Sequence, residues 1–205
     1  MKHSRSVTSK ELLRQCVAKS LHEGADLRLS LIEHCTDGVV KAAEHIFDSL
    51  QKGGKLLTFG NGGSAADAQH LAGEFIGRFT RERAPLPAIA LTVDSSAMTA
   101  IGNDYGFDQI FARQVTGLGR QPDIIVAIST SGRSPNVLNG VRAASEKGLT
   151  TIGFSGGEGG PLAELVDIPI VVPSVSTPRI QECHITLVHI MCEVLESLVF
   201  NSETV

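Results

Sequence analysis

The chain has 205 residues, enough to bury one sizeable core, so a single domain spanning 1–205 is expected. Its 42% hydrophobic and 20% charged residues exclude wholesale disorder, and a net charge of −4 leaves no basic footprint for nucleic acid. Cys16, Cys35, Cys183 and Cys192 form no CxxC pair, residues 1–10 have no apolar signal core behind them, and no run approaches the ~18 consecutive apolar residues of a spanning helix. The expectation is a cytoplasmic protein with buried, reduced cysteines and no membrane partner.

Residues 1–52 carry no strand signal. Thr8 to Glu11 has capping-box spacing, and Leu12, Leu13, Cys16, Val17 and Leu21 follow at helical intervals. A second pattern includes Ile32, Cys35, Val39, Val40, Ala43, Ile46, Phe47 and Leu50 and is closed by Gly53-Gly54. The spacing predicts an N-terminal helical pair, too apolar on one side to stand alone, packed on the rest of the fold or on another subunit. From 53 to 205 the pattern is an α/β core with a C-terminal helix. Short apolar runs at 55–59, 88–91, 123–128, 150–154 and 168–172 alternate with helical segments. Runs apolar on both faces with helical connections predict a flavodoxin-like, doubly wound, five-stranded parallel sheet flanked by helices. Its ligands belong at the carboxyl ends of the strands. The last helix is expected to start with Thr177 as N-cap and Pro178 at N1, and to run to about 199.

Two loops stand at such strand ends. Gly60-Asn61-Gly62-Gly63-Ser64 follows the first run and opens a helix, so its glycines and free amides suit an anion or polar hydroxyls. Ser64 is equally well placed as an ordinary N-cap. The loop lacks a P-loop lysine and dinucleotide spacing, so no nucleotide is implied. Ser129-Thr130-Ser131-Gly132-Arg133-Ser134-Pro135 follows the third run, and its hydroxyls at a positive helix end form a cup suited to phosphate. His70 and Glu74, at i and i+4, share one helix face, as a packed pair or a functional one. Gln181 and His189, eight residues apart with Glu182 and His184 between them, lie about 80° apart around an ideal helix and can face one cleft.

Together these residues resemble the phosphoheptose isomerases of the sugar isomerase (SIS) domain family. The matching segments are GNGGSAADAQHLAGEF (60–75), AIGNDYGF (100–107), AISTSGRSPNV (127–137) and RIQECHITLVHIMCEVLE (179–196). The resemblance implies isomerisation of sedoheptulose 7-phosphate to D-glycero-D-manno-heptose 7-phosphate, which opens nucleotide-activated heptose biosynthesis for lipopolysaccharide or other glycans. It implies that Ser129, Thr130, Ser131 and Ser134 hold the phosphate. Asn61, Gly62, Gly63, Ser64, Asn103 and Asp104 would line the sugar, with Gln181 on its hydroxyls. Glu74 matches the family's general base and His189 its partner acid/base. His70, Glu74, Gln181 and His189 match the ligands of one zinc per active site. The family is a homotetramer with shared active sites, which would give the N-terminal helices their packing partner. Two positions depart from relatives that carry acids there, Pro178 and Gly73, and no chemistry is assigned to either.

The chemistry is coherent without the resemblance. Aldose–ketose exchange takes a proton from carbon beside a carbonyl and moves another between oxygens; a carboxylate suits the first task and an imidazole the second. Two other readings compete. One is a non-catalytic SIS protein that binds the replication initiator, which the presence of both Glu74 and His189 disfavours. The other is an isomerase or sensor for another sugar phosphate, whose phosphate cup would look the same.

Overall fold

The computed structural model describes residues 8–202. Residues 1–7, most of the stretch from which the absence of a signal core was read, lie outside the described residues, as do 203–205. The elements in chain order are α1 (Ser9–Gln51), β1 (Leu56–Gly60), α2 (Gly63–Ile76), β2 (Ala88–Ala90), α3 (Ser95–Tyr105), a 3-10 turn (Phe107–Gln109), α4 (Ile110–Leu118), β3 (Ile124–Ile128), α5 (Pro135–Glu146), β4 (Thr150–Gly156), α6 (Gly160–Leu165), β5 (Ile168–Val172) and α7 (Thr177–Ser202).

The expected N-terminal pair is instead one continuous 43-residue helix. Thr8 caps it as predicted, its hydroxyl accepting the Glu11 amide at 3.3 Å. The interval 22–31 has no proline to break the helix, and its only glycine is a packing site. A Cβ on Gly24 would lie 3.3 Å from Arg179 Nη1 and 3.4 Å from Glu182 Oε2, so the missing side chain lets α1 approach α7 closely. Beyond that point Leu31, Cys35, Val39, Ala42, Ala43 and Ile46 are buried against the sheet side of the molecule. Among the described residues nothing covers the earlier part of α1, which leaves Leu12, Leu13, Val17 and Leu21 exposed. Cys16 lies there and is exposed, unlike the other three cysteines, which are buried as expected; all four are free thiols.

All five strands form, within two residues of their predicted limits, in the order β2-β1-β3-β4-β5 with every pairing parallel. Successive side chains alternate between faces. Leu56, Ile124, Val126 and Ile128 point to the layer of α1, α2 and α7, while Leu57, Phe59, Ile125 and Ala127 point to the layer of α4, α5 and α6. Both faces are therefore dry, which is why these strands read as unbroken apolar runs. Pro169 sits on the edge strand β5, where a missing N–H costs no ladder bond. The switch in strand order falls between β1 and β3, so the two suspect loops emerge side by side.

Thr177 is the first residue of α7 rather than its cap, and the first turn closes from the Ile180 amide onto the Ser176 carbonyl at 2.9 Å. Pro178 is still in the first turn, where its lack of an N–H is harmless. By length and composition alone, Thr177–Asn201 is apolar enough to cross a membrane. Here it is a core helix: Ile180, Cys183, Leu187, Val188, Met191, Cys192 and Leu195 are buried against α1, α2 and the sheet.

The fully buried His184 ties α7 to the end of β4, its Nε2–H donating to the Ser155 carbonyl at 3.1 Å and its ring edge-on to Phe154. Burial lowers its pKa to about 4, against the opposing effect of the Ser155 bond. The folded value thus lies below the ordinary unfolded value of about 6.5, so the unfolded chain takes up the proton first and stability falls as pH drops from about 6.5 to about 4. Urea unfolding should show the wild type losing about 3 kcal/mol more than His184→Gln between pH 7 and pH 4. Equal losses would contradict a neutral buried imidazole.

Candidate active site

The first loop is shaped by close backbone approach. A Cβ on Gly60 would lie 2.8 Å from both the Ile128 and Ser64 carbonyl oxygens, and Gly62 has φ of 55°, in the left-handed region. Ser64 is not the N-cap. That place is taken by Gly62, and Ser64 lies in the first turn of α2, 3% exposed. Asn61 makes a reciprocal amide pair with Asn136, each Nδ2 donating to the other's Oδ1 at 2.8 Å, while Asn136 Oδ1 also accepts the Val137 amide at 2.9 Å. This buried Asn136, in the first turn of α5, locks the first loop to the start of the helix that follows the second. The motifs did not single it out; an amide among the apolar positions of 136–138 was the signal.

The second loop bonds itself into a cup. Ser129 is buried and its hydroxyl lies 3.1 Å from that of Ser134, the N-cap of α5, whose side chain makes no capping bond. Ser131 Oγ accepts the Arg133 amide at 3.2 Å, and Gly132 takes φ of 62° so that it can press against Gly159. Thr130 and Ser131 line a cleft of about 330 Å³ with Arg133, Gly157, Ser174 and Thr177. The first turn of α7 borders this cleft, and Arg133 joins it to Ser134, the N-cap of α5.

The third feature crosses elements. His70 Nε2 lies 2.9 Å from Glu74 Oε1 on α2, and His189 Nε2, from α7, lies 3.2 Å from His70 Nε2. The ligand atoms of the three residues all lie within 4.8 Å of one another. Two imidazole nitrogens and a carboxylate oxygen facing one point need a proton or cation between them. The 2.9 and 3.2 Å separations are near the roughly 3.3 Å edge of a tetrahedron with bonds of zinc length. The donor set thus fits a divalent metal. Phe79 closes one side, its ring centroid 5.6 Å from that of His189.

Gln181 stands further up α7, over the start of α2. A Cβ on Gly63 would lie 2.5 Å from its Nε2, so the glycine makes room for the amide. Asn103 and Asp104 lie in the last turn of α3, exposed and bonded to each other at 2.8 Å, and α3 packs on the 3-10 turn and α4 rather than on the His–Glu–His group. Within one chain they are not gathered with the other predicted residues. Asp67, one turn before His70, was not anticipated: its Oδ2 is buried without a hydrogen-bond partner, and burial raises its pKa to about 6 although His70 pulls it down. Its i−3 spacing from His70 was the available signal.

The SIS domain family model matches residues 21–156. The phosphoheptose isomerase of Aquifex aeolicus is 51% identical over 183 residues, covering 89% of this chain and 96% of its own length. The chain belongs to the phosphoheptose isomerases of the SIS domain family. Two solved phosphoheptose isomerases have the same architecture. That of Neisseria gonorrhoeae has a TM-score of 0.86 at 45% identity, over 90% of this chain and 99% of its own. That of Francisella tularensis has a TM-score of 0.86 at 38% identity, over 89% and 97%.

Gly63→Ala tests the seat of the Gln181 amide. Alanine suits a helix start, and only the end of a flexible side chain must move, so the melting temperature should stay within about 3 °C. Sugar-phosphate turnover should fall about tenfold or more as the amide is displaced. Unchanged turnover would show that the position of Gln181 is immaterial.

Proposed function

We propose that the chain interconverts sedoheptulose 7-phosphate and D-glycero-D-manno-heptose 7-phosphate through an enediol. The observation that carries this is the meeting of Glu74 and His189, from distant parts of the chain, through His70 at the seam of α2 and α7. Phosphoheptose isomerase relatives matched over nearly their whole length support the substrate class. The non-catalytic alternative has no comparable support: the chain has both an acid/base pair and isomerase relatives.

In this reading Ser129, Thr130, Ser131 and Ser134, with the N-terminus of α5, hold the phosphate dianion and fix the far end of the open-chain sugar. Asn61, Gly62, Gly63 and Ser64 line its hydroxyls, with Gln181 across from them. Glu74 Oε1 faces His70, so the other carboxylate oxygen takes the proton from C1 of the ketose. His189 gives a proton to O2, forming the cis-enediol. Glu74 then returns its proton to C2 while His189 removes the one on O1, leaving the aldose and both groups in their starting states. His70, Glu74 and His189 would hold one zinc ion; Gln181, expected as a fourth ligand, is seated against Gly63 about two turns away and does not reach that ion within one chain. When bound, it would supply positive charge for the developing enediolate.

The same reading gives the exposed apolar face of α1 its partner. A homotetramer of the chain would cover Leu12, Leu13, Val17 and Leu21, and a neighbouring copy would complete each site with Asn103 and Asp104. The enzyme would work in the cytoplasm, at the start of heptose activation for lipopolysaccharide or another surface glycan.

Incubation of the full chain with sedoheptulose 7-phosphate in D₂O, followed by NMR, should show the aldose with solvent deuterium at C2. Glu74→Gln and His189→Ala should each lower kcat by about 10²–10⁴-fold while remaining folded. Near-normal turnover in either variant would remove that residue from the mechanism. Chelator dialysis should lower activity, and added zinc should restore it; full activity of metal-free protein would confine the three-residue cluster to proton transfer.

A further inference from the structure

The segment 77–87, between α2 and β2, has no regular secondary structure, yet it contains a buried ion pair. Arg83 Nε lies 3.4 Å from Glu196 Oε1, with the two side chains 5% and 3% exposed. We propose that Arg83 and Glu196 are positioning residues that set Glu74 and His189 against each other. The proposal rests on reading those two as the proton-transfer pair.

One arm reaches Glu74 through its backbone. The last carbonyls of α2 have no intrahelical partners. The Arg83 guanidinium spans them, Nη2 donating to the Glu74 carbonyl at 2.7 Å and Nη1 to that of Phe75 at 3.0 Å. The turn of α2 carrying Glu74 is thereby held from its C-terminal side.

The other arm reaches His189 through Phe79. Glu196 lies seven residues beyond His189, two turns along the same helix. Its carboxylate gathers the segment around itself, accepting the Phe79, Thr80 and Arg81 amides at 3.2 Å each and the Thr80 hydroxyl at 2.7 Å. Burial alone would raise its pKa, but the Thr80 hydroxyl and the bonds from the Thr80, Arg81 and Phe79 amides outweigh it and hold the carboxyl below its ordinary value. The backbone so folded places the Phe79 ring against the His189 imidazole.

An apolar pair of like volume would stabilise a core as well as a buried ion pair does. What the charges add here is direction. A carboxylate draws in three successive amides, and a planar guanidinium fork selects two adjacent carbonyls. The phosphate-holding loop at 129–134 takes no part, so disturbing the pair should affect turnover more than substrate capture.

The test uses the full-length chain, with wild-type turnover of sedoheptulose 7-phosphate as control. Glu196→Gln, Arg83→Lys and Phe79→Leu should each lose about 10–100-fold in kcat with KM within about threefold. Retained kcat, or a rise in KM alone, in any folded variant would overturn the proposal. If the two charge variants do not fold, Phe79→Leu decides by the same criterion, since its ring is only half-buried. An NMR readout needs no substrate: Glu196→Gln should shift the His189 ring signals, and unmoved signals would overturn the proposal. If the wild type fails to turn over this sugar, the assigned reaction is wrong, and the NMR result alone decides the coupling.

Discussion

The burial of one face of α7 against α2 and the sheet is the contact on which the site depends. Gln181 meets the start of α2 at Gly63, and His189 meets it again at His70. The first interval is eight residues and the second seven, rises of about 12 and 10.5 Å, so the two helices run side by side in the same direction and nearly in step. Slippage by one turn would move both contacts together. The apolar residues Cys183, Leu187, Val188 and Met191 on α7, and Ala68, Leu71 and Phe75 on α2, hold that register by close packing. Polar groups at the seam are thus aimed by hydrophobic contacts.

The sheet supplies the other coordinate. Its strand order puts the loops after β1 and β3 next to each other. The Asn61–Asn136 pair then joins them by two reciprocal bonds in a buried setting where an unpaired amide would be costly. Gly60 and Gly132 are small because backbone atoms of neighbouring loops occupy the space a side chain would need. The hydroxyls of the second loop and the amides of the first are therefore parts of one braced rim.

Charge is buried in few places, and each is spanned by hydrogen bonds. Asp123 accepts the Lys55 and Arg120 amides at 3.0 Å each beside the Lys55 ammonium, closing the strand entrances at the edge opposite the site. Asp167, though exposed, makes the same kind of contact just before β5, accepting the amide and hydroxyl of the buried Thr151 at 2.8 Å each. Glu196 belongs with these by chemistry but gathers the segment whose Phe79 ring lies against His189. Asp67 Oδ2 and Arg83 Nε are exceptions, each buried without a hydrogen-bond partner.

Much of this was readable before any coordinates. Five strands, their parallel sheet, the capped start of α1, the loops after β1 and β3 and the His70–Glu74 spacing follow from local periodicity and turn chemistry, because both depend on neighbours within a few residues. Continuity of α1 was not readable: the helical apolar pattern lapses between Leu21 and Ile32, and only α7 lying against Gly24 shows that stretch to be helical packing. Nor was Ser64's place inside α2, since Gly62 can start a helix without a capping side chain. Asn136, Arg83 and Glu196 left no motif because their partners lie far along the chain. Local sequence determined the elements and which side of each is apolar. The tertiary structure alone decided which polar groups face one another, since that depends on how helices slide and lock when their apolar faces pack.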